Sequence, residues 1–150
     1  MRLSENEKGT SIVEFAIILP VLLILIFGMV EFAALFYNKA VITNASREGA
    51  RAAIVFRTDA NGNYTPYQQV DIQTIVNNYV GNYLIGFPRG TATIPAFTPC
   101  PQTPTPGSDN YAVVQVSYGY HFLVLQNLLS FLQSPFTLSS STTMACENRS

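Results

Sequence analysis

The feature that most constrains this chain is an uncharged apolar run near its N-terminus, from Phe15 to Val30. A helix needs roughly 20 predominantly apolar residues to cross the hydrocarbon core of a bilayer. The run reaches that length when it is extended to Tyr37, which admits one carboxylate, Glu31. We therefore predict a transmembrane helix over 10–37.

A buried core helix and a cleaved secretory signal are the alternatives to a membrane span. A helix that is apolar on every side needs much protein around it, and residues 38–150 are few and polar for that role. A secretory signal has an apolar core of about 7–15 residues and then a small-residue cleavage site. The present run is longer and has Glu14 near its start. We expect a retained anchor in the inner membrane, with a leader segment over 1–9 inside the cytoplasm and an extracytoplasmic domain over 38–150.

Composition excludes several classes of function. Hydrophobic residues make up 48% of the chain, charged residues only 11%, and the net charge is −1, whereas soluble domains carry about 25% charged residues. Because the chain has no basic field, we expect no nucleic-acid partner. The single histidine, His121, cannot be assigned to a Ser/His/Asp or a Cys/His catalytic set, and no metal-ligand cluster can be recognised in the sequence. We therefore expect neither an enzyme nor a cofactor.

The rest of the pattern predicts an α+β fold. The stretch from Glu31 to Phe56 has no proline and one glycine, so we expect one helix from about Ser11 to about Phe56. A turn signal at 59–63 follows, and apolar residues at helical spacing predict a second helix over 68–84. Strand signals then predict a short antiparallel sheet. Its strands are expected at 91–97, 111–120 and 136–146.

Two segments connect the expected strands. Residues 98–110 hold four prolines and indicate a loop. Residues 123–132 are apolar and fit either a turn of helix or a second membrane-facing patch.

The cysteines Cys100 and Cys146 both lie on the side of the membrane that we assign as oxidising. We predict a disulfide between them, the alternative being two unpaired thiols.

Glu14 lies at the mouth of the apolar run, where a carboxylate in hydrocarbon costs about 2.5–3.5 kcal/mol. One interpretation is structural: the segment from Ser11 to Glu14 has the form of a capping box, which would place Glu14 in the first helical turn. The other is functional, because Glu14 is the fifth residue after Gly9. That spacing resembles the prepilin-peptidase site of type IV pilins and pseudopilins, with cleavage between Gly9 and Thr10.

The wider sequence resembles the TadE-like family of tight-adherence pilus proteins. Three stretches carry the resemblance: Gly9–Pro20, Phe27–Phe32 and Asn44–Arg51. The strong motifs cover about 9–53, and the remainder is compatible with the family. The disulfide is not implied by the family.

The resemblance implies a type IV pilin-like architecture and a role as a pseudopilin or minor pilin in the assembly of a Flp-type (tight-adherence) pilus, for adhesion and surface attachment. The implied partners are a prepilin peptidase, other pilin-like subunits, the pilus assembly platform and membrane lipid. The subunit would act in the inner membrane or enter the extracellular pilus. The alternative is an unprocessed single-pass membrane protein whose outer domain binds a partner or ligand.

Six further residues of the long helix are candidates for packing and assembly. Pro20 removes a backbone donor and loosens the helix, and Glu31 is either a solvated end residue or a contact with a neighbouring helix. Small residues at four-residue spacing let another backbone approach closely. Ala45, Gly49 and Ala53 have this spacing, and we call them the small-residue stripe. We favour packing of this stripe on the protein's own sheet over packing on another subunit. The six candidates are Pro20, Gly28, Glu31, Ala45, Gly49 and Ala53.

Overall fold

The computed structural model describes residues 5–58, 60–86, 91–101, 110–122 and 135–147, with backbone only at 5–8. Our expectations for residues 1–4, for most of the proline-rich loop and for the apolar segment 123–132 lie outside the described residues. The layout is α+β, as predicted: a long helix, a small hairpin, a second helix and a three-stranded sheet. The elements are α1 (Glu5–Ala53), β1 (Phe56–Thr58), β2 (Tyr64–Pro66), α2 (Gln69–Tyr83), β3 (Thr93–Thr98), β4 (Tyr111–Tyr120) and β5 (Phe136–Ala145).

Helix α1 is one unbroken rod of 49 residues, about 74 Å long at about 1.5 Å per residue. The prediction that the anchor helix continues into the domain is confirmed. The predicted ends were wrong by a few residues. The helix is already formed at Glu5, the first residue that the structure describes, because the polar residues before Ser11 include no proline, and the lone Gly9 costs only about 1 kcal/mol. It ends at Ala53, because Phe56 pairs with Pro66 in the hairpin.

The environment of α1 changes abruptly along its length. Every residue from Gly9 to Val30 is exposed or half-exposed, although the segment is apolar. By length and composition α1 could cross a membrane, and none of its most apolar window is buried in the protein. From Glu31 onward one face of the helix is covered by the rest of the chain. We call 9–30 the stem and 31–53 the spine.

The sheet has β4 at its centre, with β3 and β5 antiparallel on either side. Strand β5 pairs along the whole of β4, from Tyr120 opposite Phe136 to Tyr111 opposite Ala145. The predicted alternation of β4 is confirmed, because every second side chain is buried. The inward residues of β4 are Ala112, Val114, Val116, Tyr118 and Tyr120.

Helix α2 and the spine of α1 together cover the inner face of the sheet. Ile72, Val76 and Val80 form the buried face of α2, at the three-to-four spacing that predicted this helix. The side chains of Gln69 and Gln73 also hydrogen bond to backbone groups of Ala92 and Ile94. These bonds occupy backbone groups along the outer edge of β3, which reduces its ability to pair with another strand.

The β1–β2 hairpin was not predicted. Its strands have three residues each, too few to show an alternating pattern. Gly62 has a φ of 81° at the turn, a conformation that glycine adopts without strain. Arg57 then donates two hydrogen bonds to Asp71 at 2.6 and 3.2 Å, which ties the hairpin to the first turn of α2.

The predicted disulfide is present. Cys100 follows β3 and Cys146 follows β5, and their Cα atoms are 5.8 Å apart. The backbone N–H of Cys146 also donates to the carbonyl of Asn110 at 2.8 Å. The disulfide therefore joins the ends of the two outer strands, β3 and β5, at the end of the sheet where β4 begins.

Candidate processing and assembly site

Gly9, Thr10 and Glu14 lie on the exposed surface of α1. A Cβ atom added to Gly9 would meet nothing within 4 Å, so the backbone there is open to a large partner. Thr10 precedes Glu14 by four residues, and residues at that spacing are neighbours on one helix face. The carboxylate is therefore on the same face as the residue that would carry a new amine after a cut at Gly9.

The capping-box interpretation of Glu14 is wrong for the uncut chain. Ser11 lies inside α1 and not at its start, so it cannot be the N-cap. Glu14 is nine residues after Glu5, which places it at least about two and a half turns into the helix. The stabilising effect of the helix dipole on a carboxylate falls off within the first turn. Nothing at the helix terminus therefore accounts for a carboxylate at this position.

Glu31 differs from both of our sequence interpretations. Only 4% of its surface is exposed, because the protein's own domain covers it. The carboxylate lies near Tyr120 at the end of β4. Burial raises the pKa of the Tyr120 phenol above its usual value, with smaller contributions from the Glu31 carboxylate and from Tyr118. Glu31 is therefore neither a solvated end residue nor open to a neighbouring subunit's helix in this structure.

The small-residue stripe lies inside the domain. Ala45 and Ala53 are fully or almost fully buried. A Cβ atom on Gly49 would lie 3.1 Å from both Val114 and Val76 and 3.3 Å from Ile72. The stripe thus lets the sheet and α2 approach the helix backbone, which is the packing that we favoured. It is not available to another subunit.

Pro20 and Gly28 lie in the stem. Proline at position 20 leaves the carbonyl four residues earlier without its helical donor. A Cβ atom on Gly28 would meet nothing within 4 Å, so nothing in this chain requires glycine there. Both positions face outward, toward whatever surrounds the stem.

A family model described as TadE-like protein matches residues 9–51. This part of the chain is similar to TadE-like proteins. The match confirms the resemblance and points to a membrane protein associated with a tight-adherence pilus. The comparisons with curated proteins and with solved structures give no match.

The TadE-like segment corresponds closely to one structural element. It begins at Gly9, the first residue of the stem, and ends two residues before α1 does. It therefore contains Gly9, Thr10 and Glu14 together with most of the spine. Helix α2 and all the strands lie outside it.

The TadE-like segment also contains two buried polar residues that sequence reasoning missed. Asn38 is fully buried; its amide donates to the Ile85 carbonyl and its oxygen accepts from the Ile85 N–H at 2.9 Å. Ser46 is fully buried against β5, 2.7 Å from the Thr142 hydroxyl. Both lie on the same helical face as Ile42, and that shared face was the available signal.

Within the part of the chain that the structure describes, no group of three or more His, Cys, Asp or Glu side chains is placed to hold a metal ion. The polar groups that the structure does bring together connect elements of the fold. Lys39 is an example, since its ammonium donates to the backbone carbonyl of Ser139 in β5. Glu14 lies outside the packed domain and is the one charged side chain of the stem.

Proposed function

We propose that this chain is a pseudopilin or minor pilin that acts in assembly of a Flp-type (tight-adherence) pilus. The stem crosses the inner membrane with its N-terminus inside, and a prepilin peptidase cuts between Gly9 and Thr10. The observation that carries the proposal is the position of Glu14. It is the single charged residue of the stem, and it is exposed one helical turn after Thr10.

Cleavage would change the environment of Glu14. In the uncut chain the carboxylate lies well inside α1, where it gains nothing from the helix terminus. A chain that starts at Thr10 would place Glu14 within the first two turns. The new amine at Thr10 is a positive charge beside the positive end of the helix dipole, which is unfavourable. Glu14 offsets that charge, either in its own chain or in a neighbouring subunit.

The division of α1 into stem and spine supports a role in assembly. The small-residue stripe of the spine is occupied by the domain, so the spine has no free face of that kind. The stem is apolar and exposed all round. Lipid covers this apolar surface before assembly, and the stems of other pilin-like subunits cover it afterwards. The function is interaction between helices, and the outer domain is carried by them.

Glu14→Gln tests the proposal, because it keeps the side-chain shape and removes the charge. We expect this variant to insert in the membrane and to be cut normally. Its co-purification with other pilin-like subunits should fall about ten-fold or more, the effect of losing about 1.4 kcal/mol of association free energy. Glu48→Gln is the matched control, because Glu48 is an exposed carboxylate on the same helix. Equal recovery of subunits with Glu14→Gln and Glu48→Gln would contradict the proposed role of Glu14.

A further inference from the structure

The stem fixes the height of the domain above the membrane. From Thr10 to Val30 the helix rises about 30 Å at about 1.5 Å per residue, which is about the thickness of the hydrocarbon core. Glu31, the next residue, is already covered by the domain. Helix α1 has no break between the stem and the spine. The domain therefore cannot be far from the bilayer surface while the stem spans the bilayer.

Aromatic residues lie at this end of the domain. Tyr120, at the end of β4, is near Glu31, and its strand partner is Phe136. The ring of Phe122 lies 5.4 Å from that of Tyr120 and 6.4 Å from that of Phe136. Phe136 keeps 48% of its surface exposed. Along the spine, Ser46 contacts Thr142 and Lys39 donates to the Ser139 carbonyl, so β5 runs toward the stem as its residue numbers fall, and Phe136 lies three residues beyond Ser139. With the stem across the bilayer, this cluster lies at the level where the helix leaves the hydrocarbon.

A second exposed group lies on the α2 side of the spine. Asn38 binds both backbone groups of Ile85, so Ile85 is seven residues, or about 10 Å, above Glu31 along the helix. Ile85 is 49% exposed and Tyr83 is 51% exposed. The polar interfacial layer of a bilayer adds about 5–7 Å on each side of the hydrocarbon core. Ile85 therefore lies about 3–5 Å above that layer when α1 is upright, and a tilt of α1 toward the α2 side, of the size usual for membrane helices, would lower it into the layer.

We infer that this end of the domain, which we call the lower rim (Tyr83, Ile85, Phe122 and Phe136), rests in the interfacial layer of the bilayer that the stem crosses. Tyrosine favours the headgroup level, because its apolar ring and its hydroxyl are both satisfied there, and exposed phenylalanine and isoleucine side chains are removed from water at the same boundary. The lipid surface is the occupant because the unbroken helix brings it to the rim, whereas any protein partner would have to displace it. The contact is apolar and aromatic, and it is independent of headgroup charge.

The opposite end of the sheet supplies a matched control position. Tyr111 begins β4 and is 44% exposed, close to the value for Phe136. The ten residues of β4 separate the two ends by about 30 Å at about 3.4 Å per residue. A side chain at Tyr111 therefore has the same kind of environment within the protein but stands far above the lipid.

The chain has no tryptophan, so single tryptophan variants report one site each. The full chain with Phe136→Trp, Tyr83→Trp, Tyr111→Trp or Met29→Trp is placed in nanodiscs whose acyl chains are brominated near the headgroup. A cooperative unfolding transition in urea shows that each variant is folded. We expect bromine to reduce the emission of Met29→Trp, Phe136→Trp and Tyr83→Trp, and to leave Tyr111→Trp unchanged. Neutral and anionic lipids should give the same result.

The inference rests on the membrane crossing in our proposed function, and Met29→Trp separates the two. If Met29→Trp is quenched while Phe136→Trp and Tyr83→Trp behave like Tyr111→Trp, the rim does not touch lipid and the inference fails alone. If Met29→Trp is also unquenched, the stem does not span the bilayer and both proposals fail. Quenching of the rim variants in anionic lipid only would overturn the apolar and aromatic contact, because it would require charge. The use of Phe136→Trp and Tyr83→Trp on different elements guards against a local folding defect in either.

Discussion

The hydroxyl of Ser46 lies 2.7 Å from the hydroxyl of Thr142, so a hydrogen bond ties the spine of the long helix to the last strand. Ser46 is fully buried, and the bond spans 96 residues of sequence. Asn38 makes the corresponding connection to the segment after α2. Polar groups in a packed interface are costly unless they are paired. These pairs therefore fix the position of the spine against the domain. Because the stem continues the same helix, its direction relative to the domain is fixed as well.

Asn38→Ala should destabilise the domain. The substitution removes the partner of both the N–H and the carbonyl of Ile85, and a loss of this kind costs about 1–3 kcal/mol. The free energy of unfolding by urea, measured in detergent, checks this. Asn44→Ala is the control, because Asn44 is exposed on the same helix, and its effect should stay within about 0.5 kcal/mol. Equal stability of the two variants would show that the Asn38 bonds add nothing.

Gly49→Ala should destabilise the domain, whereas Gly28→Ala should leave its stability unchanged. At Gly49 the new methyl group meets Val114, Val76 and Ile72 at 3.1–3.3 Å. Branched side chains cannot easily turn away, and overpacking costs about 1–3 kcal/mol. That cost exceeds the gain in helix propensity of up to about 1 kcal/mol. Gly28→Ala meets nothing within 4 Å and should leave domain unfolding unchanged. A domain stabilised by Gly49→Ala would contradict the tight packing described for the stripe.

Reduction of the Cys100–Cys146 bond should weaken the domain considerably. The cysteines are 46 residues apart, and closing a loop of that length removes about 4 kcal/mol of chain entropy from the unfolded state in the simple model. Unfolding with and without a thiol reductant measures the loss. Cys100→Ser with Cys146→Ser should match the reduced protein and be insensitive to reductant. Mass spectrometry with thiols blocked should find both cysteines unalkylated, and two alkylated cysteines would contradict the bond.

The domain should lose stability at alkaline pH through Tyr120. Burial, and secondarily the Glu31 carboxylate, raise the pKa of Tyr120 above 10.0 in the folded chain. The folded state therefore holds this proton more tightly than the unfolded state does. The contribution is fully present below pH 10 and falls as the pH rises from there through the folded pKa. Tyr120→Phe should move the alkaline unfolding midpoint upward, while Tyr111→Phe, exposed at the far end of the sheet, is the control. An unchanged midpoint in Tyr120→Phe would contradict this assignment.

The sequence predicted the elements that have long periodic patterns. The long helix lacks breakers, α2 has regular three-to-four spacing, and β4 alternates over ten residues, so local patterns determine all three. The end strands were placed within about two residues, because turn residues bound them. The three-residue strands of the hairpin fell below the length at which a pattern can be recognised.

The site was predictable only where local spacing determines it. Gly9, Thr10 and Glu14 form a pattern along one helix, and the structure leaves them on its surface. We predicted the start of α1 too late in the sequence, because Ser11 resembles an N-cap residue. An N-cap residue has this role only where a helix begins, and here the helix continues through Ser11. The burial of Asn38, Ser46 and Glu31 depends on partners far away in sequence. No local pattern contains those partners.

The mass of the mature chain tests the central claim most directly. The intact protein is purified from membranes of cells with and without an active prepilin peptidase, and its N-terminus is assigned by mass spectrometry. We predict a chain that starts at Thr10 when the peptidase is present and a chain that keeps residues 1–9 when it is absent. A chain that still starts at Met1 in peptidase-positive cells would contradict a processed pilin-like subunit and favour the unprocessed single-pass membrane protein.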